Sequence, residues 1–363
     1  MKKIIVLLII TVILLIQENY SSYKNYYILN TVTPFNKKIL ERRKCYDFTE
    51  KFFLKINNQI IEFRTVNITV VQYINNQYIG IIRLSNIFLD FRENILKKLN
   101  NYGKVFVINK IYLFDNNFNT LKKKIVVDSI GNNFECEDMR LFNDKISNKI
   151  LFSGNCHDHN SNKFVVAIGY INENFEVKDV IKPIKNFEIK KNKKENIPGY
   201  IKYIENFFKN NHTKNISSWE KNWTLFNYKN SIHIIYKWFP LHICKINFNK
   251  LELIEIKEMP EIFTFCRGST NGFEYDGLIW FIVHKTTTYK NYFHLLVIFD
   301  LNMNLKGYID DFKFEGNFVE FCLGLVVEKD RVIISYSTND SNCKICIYDK
   351  KYLENLIVWL DKK

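Results

Sequence analysis

Glu137-Asp138-Met139-Arg140 places two carboxylates and a guanidinium within four residues, ahead of the apolar pair Leu141-Phe142. Carboxylates accept hydrogen bonds from hydroxyls. A planar guanidinium donates a fork of N–H groups to oxyanions. Further polar groups follow in order: Glu220-Lys221-Asn222-Trp223, Arg267-Gly268-Ser269-Thr270, His284, Glu320 and Asp340. Each sits at or near the end of a strand-like run. Recurrence of polar residues at strand ends predicts several strands delivering side chains to one place, as closed or radial β-architectures do.

The elements that must position them are mostly strands. Segments 67–73, 77–84, 104–114, 163–171, 231–238, 277–284, 292–301, 331–336 and 343–348 are rich in β-branched and aromatic residues and bounded by polar or turn residues. Asn75-Asn76, Asn132-Asn133 and Asn271-Gly272 supply turn chemistry. Helical spacing of apolar residues predicts helices over 87–99 and 201–208, and a short terminal helix over 352–360. Many short strands with tight turns imply an all-β sandwich, barrel or propeller. No segment repeats with high identity.

The chain has 363 residues, 47% of them hydrophobic, enough for a sizeable core. With 12 Gly, 5 Pro and no Pro/Gly/Ser-rich linker, it reads as one domain. The formal charge of +14 is spread along the sequence instead of gathered in a stripe, so it describes a solvated basic surface with weak attraction for phosphates, sugar nucleotides or anionic lipid. Met1-Lys2-Lys3 before an apolar run over 4–16 has the form of a signal peptide or a short anchor. The run is short for a membrane span, which takes about 20 residues. Ser21-Ser22 is the nearest candidate for cleavage, and residues 17–25 read as a stem. The remainder is expected in the secretory lumen, membrane-anchored through the segment if uncut and secreted if cut.

Eight cysteines are scattered. In an oxidising lumen some can pair, and the sequence does not say which. Cys343-Lys344-Ile345-Cys346 lies in a strand-like run, where positions three apart face opposite sides, which argues against a redox or zinc role. Cys156-His157-Asp158-His159 offers ligand types without a second pair at metal-finger spacing, so no metal is assigned. Sequons occur, as at Asn67, Asn211 and Asn222, at the frequency expected of so Asn-rich a chain. There is no Rossmann glycine fingerprint, P-loop, Asp-x-Asp, helix-turn-helix or paired zinc finger. Common nucleotide-fold enzymes and nucleic-acid binding are thereby disfavoured.

The ordered motifs over residues 67–348 resemble glycoside hydrolase family 130, the β-mannoside phosphorylases and related mannosyltransferases. The family's Glu-Asp-Pro-Arg is matched by Glu137-Asp138-Met139-Arg140, with Met139 in place of proline. A strand at 150–154 and the loop Asn155-Cys156-His157-Asp158 follow where the family has a strand and its acid-bearing loop. Lys221-Asn222-Trp223-Thr224-Leu225-Phe226 fits the family's Lys-Asn step, and Val283-His284, Tyr292 and residues 296–300 echo its later strands. The last steps are degenerate, at residues 319–324 and 336–340.

The resemblance implies a five-bladed β-propeller, placed over 26–350; the sequence itself adds the N-terminal signal or anchor over 1–25, a few short helices and a helical tail over 351–363. It implies an inverting enzyme with one acid and a phosphate-gripping pocket, its proton relayed through a sugar hydroxyl. A phosphorylase of this kind needs one proton donor, whereas a hydrolase also needs a carboxylate to activate water. Asp158 is the candidate acid. Arg140, Lys221, Arg267 and His284 are the candidate anion holders, for phosphate or for the diphosphate of a sugar nucleotide. Glu137, Asp138, Asn222, Glu320 and Asp340 are candidate sugar-hydroxyl partners, and Trp223 and Tyr292 candidate stacking platforms. Trp238 and Trp280 are weaker candidates of the same kind. The expected activity is glycosyl transfer to mannose-like sugars in glycan synthesis, without a cofactor. The alternatives are β-mannoside phosphorolysis and non-catalytic glycan binding.

Overall fold

The computed structural model describes residues 38–56, 58–90, 95–98, 105–128, 130–158, 163–187, 220–286 and 291–360. The N-terminal segment 1–25 and the helix expected over 201–208 lie outside them.

Five antiparallel blades follow one another along the chain. β1 (Lys44–Asp47) comes first and is used last. Blade one holds β2 (Lys51–Ile56), β3 (Gln59–Gln72) and β4 (Tyr78–Ser85). After a side hairpin of β5 (Ile87–Asp90) and β6 (Ile95–Lys98), it is completed by β7 (Val107–Phe114) and β8 (Thr120–Ile125). Blade two is β9 (Glu137–Asp144), β10 (Lys149–Asp158), β11 (Lys163–Ile171) and β12 (Val177–Ile181). Blade three begins with β13 (Ile184–Lys185), laid parallel on its outer edge, and continues with β14 (Thr224–Tyr228), β15 (Ser231–Trp238), β16 (Leu241–Asn247) and β17 (Lys250–Lys257). Blade four is β18 (Arg267–Gly268), β19 (Phe273–Tyr275), β20 (Leu278–Thr286), β21 (Tyr292–Asp300) and β22 (Leu305–Phe312). Blade five is β23 (Glu320–Val327), β24 (Arg331–Thr338) and β25 (Asn342–Asp349), with β1 as its outermost strand.

The hydrophobic side chains divide into five clusters, one in each gap between neighbouring blades. Each blade is covered on both faces, so its middle strands read as continuous apolar runs such as Trp280-Phe281-Ile282-Val283. Alternation then sorts the side chains. Trp280 and Ile282 pack toward blade five, and Phe281 and Val283 toward blade three. The same rule separates Cys343 from Cys346, as the sequence implied: Cys343 packs toward blade one and Cys346 toward blade four. Cys346 lies opposite Cys45 across the β1–β25 pair and is joined to it by a disulfide spanning 301 residues. Ring closure is thus both hydrogen-bonded and covalent.

A structural repeat hidden from residue identity recurs at the turn between the two outer strands of three blades: Asp115 to Asn119, Asn172 to Glu176, and Asp300 to Asn304. The first residue's side-chain oxygen accepts from the backbone N–H four positions on, at 2.8 Å in all three. The fourth residue, Phe118, Phe175 or Met303, takes a positive φ and buries its side chain as a peg under the blade. That burial offsets a backbone conformation L-residues adopt reluctantly.

Two helix expectations are corrected. Residues 87–99 contain the β5–β6 hairpin, registered Ile87 to Lys98 and Asp90 to Ile95. A short apolar run does not separate helix from strand by spacing alone. The terminal helix α1 (Lys350–Leu356) is capped by the Asp349 carboxylate, which accepts from Tyr352 N at 2.7 Å. It ends earlier than expected, and β26 (Val358–Trp359) then pairs with β22. Residues 350–359 therefore pack on blades four and five.

Candidate functional site

The inner strands β3, β9, β14, β18–β19 and β23 surround the propeller axis. Polar side chains knit them together at mid-depth. Thr69 Oγ1 donates to Leu323 O and accepts from Leu141 N. Asn271 Nδ2 donates to Leu141 O at 3.0 Å, while its Oδ1 accepts from Leu225 N at 2.7 Å. Beneath this plug lies a small cavity of about 40 Å³ lined by Phe142, Phe273, Leu323 and Leu325. Above it, the starts of the inner strands open into a polar mouth.

Arg140 forms the floor of that mouth and is 1% exposed. Its Nε donates to Ser269 O at 2.6 Å, Nη1 to Asp138 O at 3.1 Å and Nη2 to Asn222 Oδ1 at 2.9 Å. Burial pushes the guanidinium down to about 10, so it stays charged at neutral pH. Arg140 thus ties blade two to blades three and four, and its donors are directed at protein acceptors.

A β-bulge sets the direction of the acid pair. Ser153 faces Arg140 and Asn155 faces Glu137, so the single step through Gly154 opposes both Asp138 and Met139. Asp138 takes a φ of 52°. A Cβ at Gly154 would lie 2.5 Å from Cys136 Sγ and 3.0 Å from Glu137 O, so glycine is what lets the bulge close. Met139 points into the core between blades one and two. The bulge turns the Asp138 carboxylate toward Asn67 Nδ2 and Arg83 Nη1, each 2.6 Å away. Arg83 also pairs with Glu137 at 3.2 Å. Its Nε has no hydrogen-bond partner among the described residues.

Opposite the acid pair stands a basic and aromatic wall. His284 is buried. Its Nδ1 is 2.8 Å from Ser269 Oγ, and its ring stacks on Tyr292 and meets Phe321 edge-on. Burial first, then the positive charges of Arg140, Arg267 and Lys221 and the neighbouring His294, hold His284 well below the usual histidine range. It is therefore a neutral imidazole at pH 7. Tyr292 is pushed up to about 12 by burial and by the carboxylates of Asp340 and Asp138, against the pull of Arg267. Geometry agrees: Arg267 lies directly across the β18–β20 pair from His284, Tyr292 stacks on His284, and Lys221 adjoins the Asn222 that holds Arg140. Asn222 and Asp340 also have positive φ, 64° and 45°, so three residues with left-handed backbone ring the opening.

Four expected site residues, Trp223, Trp238, Trp280 and Glu320, sit elsewhere. Trp223 is 2% exposed, in the core between blades two and three, with its ring against Tyr236. It presents no face to a sugar, and Trp238 and Trp280 are equally enclosed. Glu320 is 0% exposed, and its carboxylate accepts from the backbone N–H groups of Phe314, Glu315 and Asn317. Burial raises its pKa despite those three donors. It is an anchor for the loop. Asp158 ends β10 three residues beyond the Asn155–Glu137 pair, on the same end of the blade as the mouth, and forms an ion pair with Lys182 at 3.2 Å. In the metal-type run beside it, Cys156 faces the core while the His157 ring packs on Phe164.

The sequence had missed Arg83 and Asn67. The signal for Arg83 was present: a lone arginine inside the otherwise apolar strand Tyr78–Ser85 needs a buried acid.

No family model matches the chain, and no curated protein matches it. Solved structures do. A glycosyl hydrolase from Bacteroides ovatus superposes with TM-score 0.51 at 12% identity, covering 88% of this chain and 93% of its own. A glycosidase-like protein from Bacteroides thetaiotaomicron gives TM-score 0.51 at 10% identity, over 87% and 96%. A third structure, described with the finding that the GH130 family of mannoside phosphorylases contains hydrolases that target β-1,2-mannosidic linkages in Candida mannan, gives TM-score 0.50 at 12% identity, over 88% and 93%. At such identities the likeness fixes the fold: the chain is a five-bladed β-propeller of the type built by glycoside hydrolase family 130.

Proposed function

We propose that the chain is a carbohydrate-active enzyme on mannose-like sugars that exchanges a glycosidic bond with a phosphate-bearing group. In one direction inorganic phosphate attacks the anomeric carbon. In the other, a sugar 1-phosphate donates its sugar to an acceptor hydroxyl and releases phosphate; a sugar nucleotide would be used in the same way with release of its nucleotide. The observation that carries this reading is the arrangement at the mouth: Arg267 directly across the β18–β20 pair from a neutral His284, Lys221 next to the Asn222 that holds Arg140, and the carboxylates of Asp138 and Glu137 gathered on Arg83. The cations suit an anionic nucleophile or leaving group, and neutral His284 can donate or accept a hydrogen bond without adding charge. The carboxylates suit sugar hydroxyls. The hydrolase likeness of the family 130 fold supports the sugar assignment.

Asp158 is the proposed proton donor. Its pairing with Lys182 means the ammonium must be displaced or shared when the acid engages a glycosidic oxygen. That same pairing favours a second reading, a propeller that binds glycans without turning them over. Incubating the full chain with mannosides, with mannose 1-phosphate and with mannose nucleotides, with and without phosphate, separates the cases. Release of mannose 1-phosphate only when phosphate is added indicates phosphorolysis. Consumption of a mannose donor with an acceptor indicates transfer. Sugar binding without any product leaves the binding module.

A further inference from the structure

Two phenylalanines stand out at the mouth because the fold holds them in water at a cost. Phe265 is 72% exposed. It sits between Thr264 (φ −57°, ψ 131°) and Cys266, whose N donates to Phe263 O at 3.0 Å. With its own φ at 69°, Phe265 occupies the third position of a type II turn, a place glycine or asparagine fills without strain. Phe118, Phe175 and Met303 share such a φ, but each is compensated by burial. Phe265 is not, and neither is Phe248 (φ 53°, 92% exposed), which lies in the β16–β17 hairpin and leads into no inner strand.

Phe318 is 61% exposed. Its loop is fixed by the buried Glu320 carboxylate through Phe314, Glu315 and Asn317. Phe318 O accepts from Tyr292 N at 2.8 Å, and the next residue's carbonyl, Val319 O, accepts from Asn339 N at 2.8 Å. A buried carboxylate is thus spent on the loop that carries an exposed ring.

Both residues lead into inner strands at the mouth, Phe265 two positions before Arg267 and Phe318 two before Glu320. Tyr292 and Phe321, with ring centroids 6.1 Å apart, continue the aromatic surface inward to His284. Rigid rings beside hydrogen-bonding carboxylates and amides match the two sides of a pyranose, its C–H face and its hydroxyls.

We propose that Phe265 and Phe318 form an aromatic rim that stacks on pyranose units of a glycan chain, beyond the unit seated in the mouth. This rests on the sugar-active reading above. The test titrates the full chain with mannose, mannotetraose and cellotetraose, in the wild type, Phe265→Gly, Phe318→Ala and the double variant. Wild type binds a tetrasaccharide more tightly than mannose. Each substitution weakens that binding by roughly threefold to tenfold, the scale of one aromatic contact, and leaves mannose affinity unchanged. Phe265→Gly also raises the melting temperature, because glycine relaxes the turn. A double variant with wild-type tetrasaccharide affinity overturns the proposal while the sugar-active reading stands, as does a melting temperature lowered by Phe265→Gly. If cellotetraose alone is bound and the variants lose it, the rim stands and the mannose assignment falls. If wild type binds none of the three sugars, both fail.

Discussion

Arg140 Nη2 lies 2.9 Å from Asn222 Oδ1, joining the inner strands of blades two and three across 82 residues of sequence. Asn222 holds a φ of 64° to bring that oxygen into place. The guanidinium is therefore a rivet under the mouth, its donors taken by protein acceptors, which leaves Lys221, Arg267 and His284 as the proposed anion holders.

Arg140→Ala should accordingly act on stability before activity. It leaves Ser269 O, Asp138 O and Asn222 Oδ1 short of a donor in a site closed to water. Urea denaturation should show a loss of about 3 kcal/mol or more. Arg140→Lys should recover little, since one ammonium does not reproduce the planar fork. Wild-type stability in both variants would contradict the rivet.

Asp158→Asn tests the proton donor. Loss of a general acid typically costs about a hundredfold or more in rate. The assay is turnover of whichever mannose donor the wild type consumes, read alongside sugar binding. Unchanged turnover removes Asp158 from the chemistry. Lys182→Ala, which removes the ammonium from beside that carboxylate, should change the rate without abolishing activity.

Acid should destabilise the fold through its buried histidines. His294 is 0% exposed among Phe312 and Phe314, and burial pushes it from 6.5 to about 3. Its folded-state pKa lies below the unfolded one, so between about pH 6.5 and 3 the unfolded chain binds the extra proton. Its contribution to stability is complete above pH 6.5 and is lost as pH falls. The slope is about 1.4 kcal/mol per pH unit per histidine. His233, His242 and His284 are lowered as well and act in the same direction. Melting temperatures from pH 7 to 4 should fall less steeply in His294→Phe than in wild type. Identical slopes would show that His294 does not titrate with unfolding.

The Cys45–Cys346 disulfide should matter because the loop it closes is nearly the whole ring. Cys45→Ala/Cys346→Ala should cost about 2–5 kcal/mol, and thiol reductant should lower the wild-type melting temperature but not that of the double variant. Protease sensitivity should appear first around β1.

Much of the fold was legible because the blades impose simple alternation. Segments 77–84, 163–171, 231–238 and 292–301 match β4, β11, β15 and β21 to within a residue. The hairpin over 87–98 was not, since a run of Ile, Phe and Leu satisfies both periods at that length. At the site, Glu137, Asp138 and Arg140 were visible as a charged cluster. Trp223 misled because it adjoins Lys221-Asn222. Two residues of spacing put a core tryptophan beside two mouth residues, and nothing local says which side faces the axis. Glu320 misled for a related reason: a strand-end carboxylate looks alike whether its partners are sugar hydroxyls or backbone N–H groups of its own loop.

The first described strand completes the last blade. A nascent chain cannot finish this fold in the order in which it is made. Until the segment around Cys346 emerges, β1 lacks the strand it pairs with and the last blade cannot close, although Arg83, Glu137, Asp138, Lys221 and Arg267 have already been made. Removing the final strands should therefore abolish function without touching those residues, because the opening they share exists only in the finished circle.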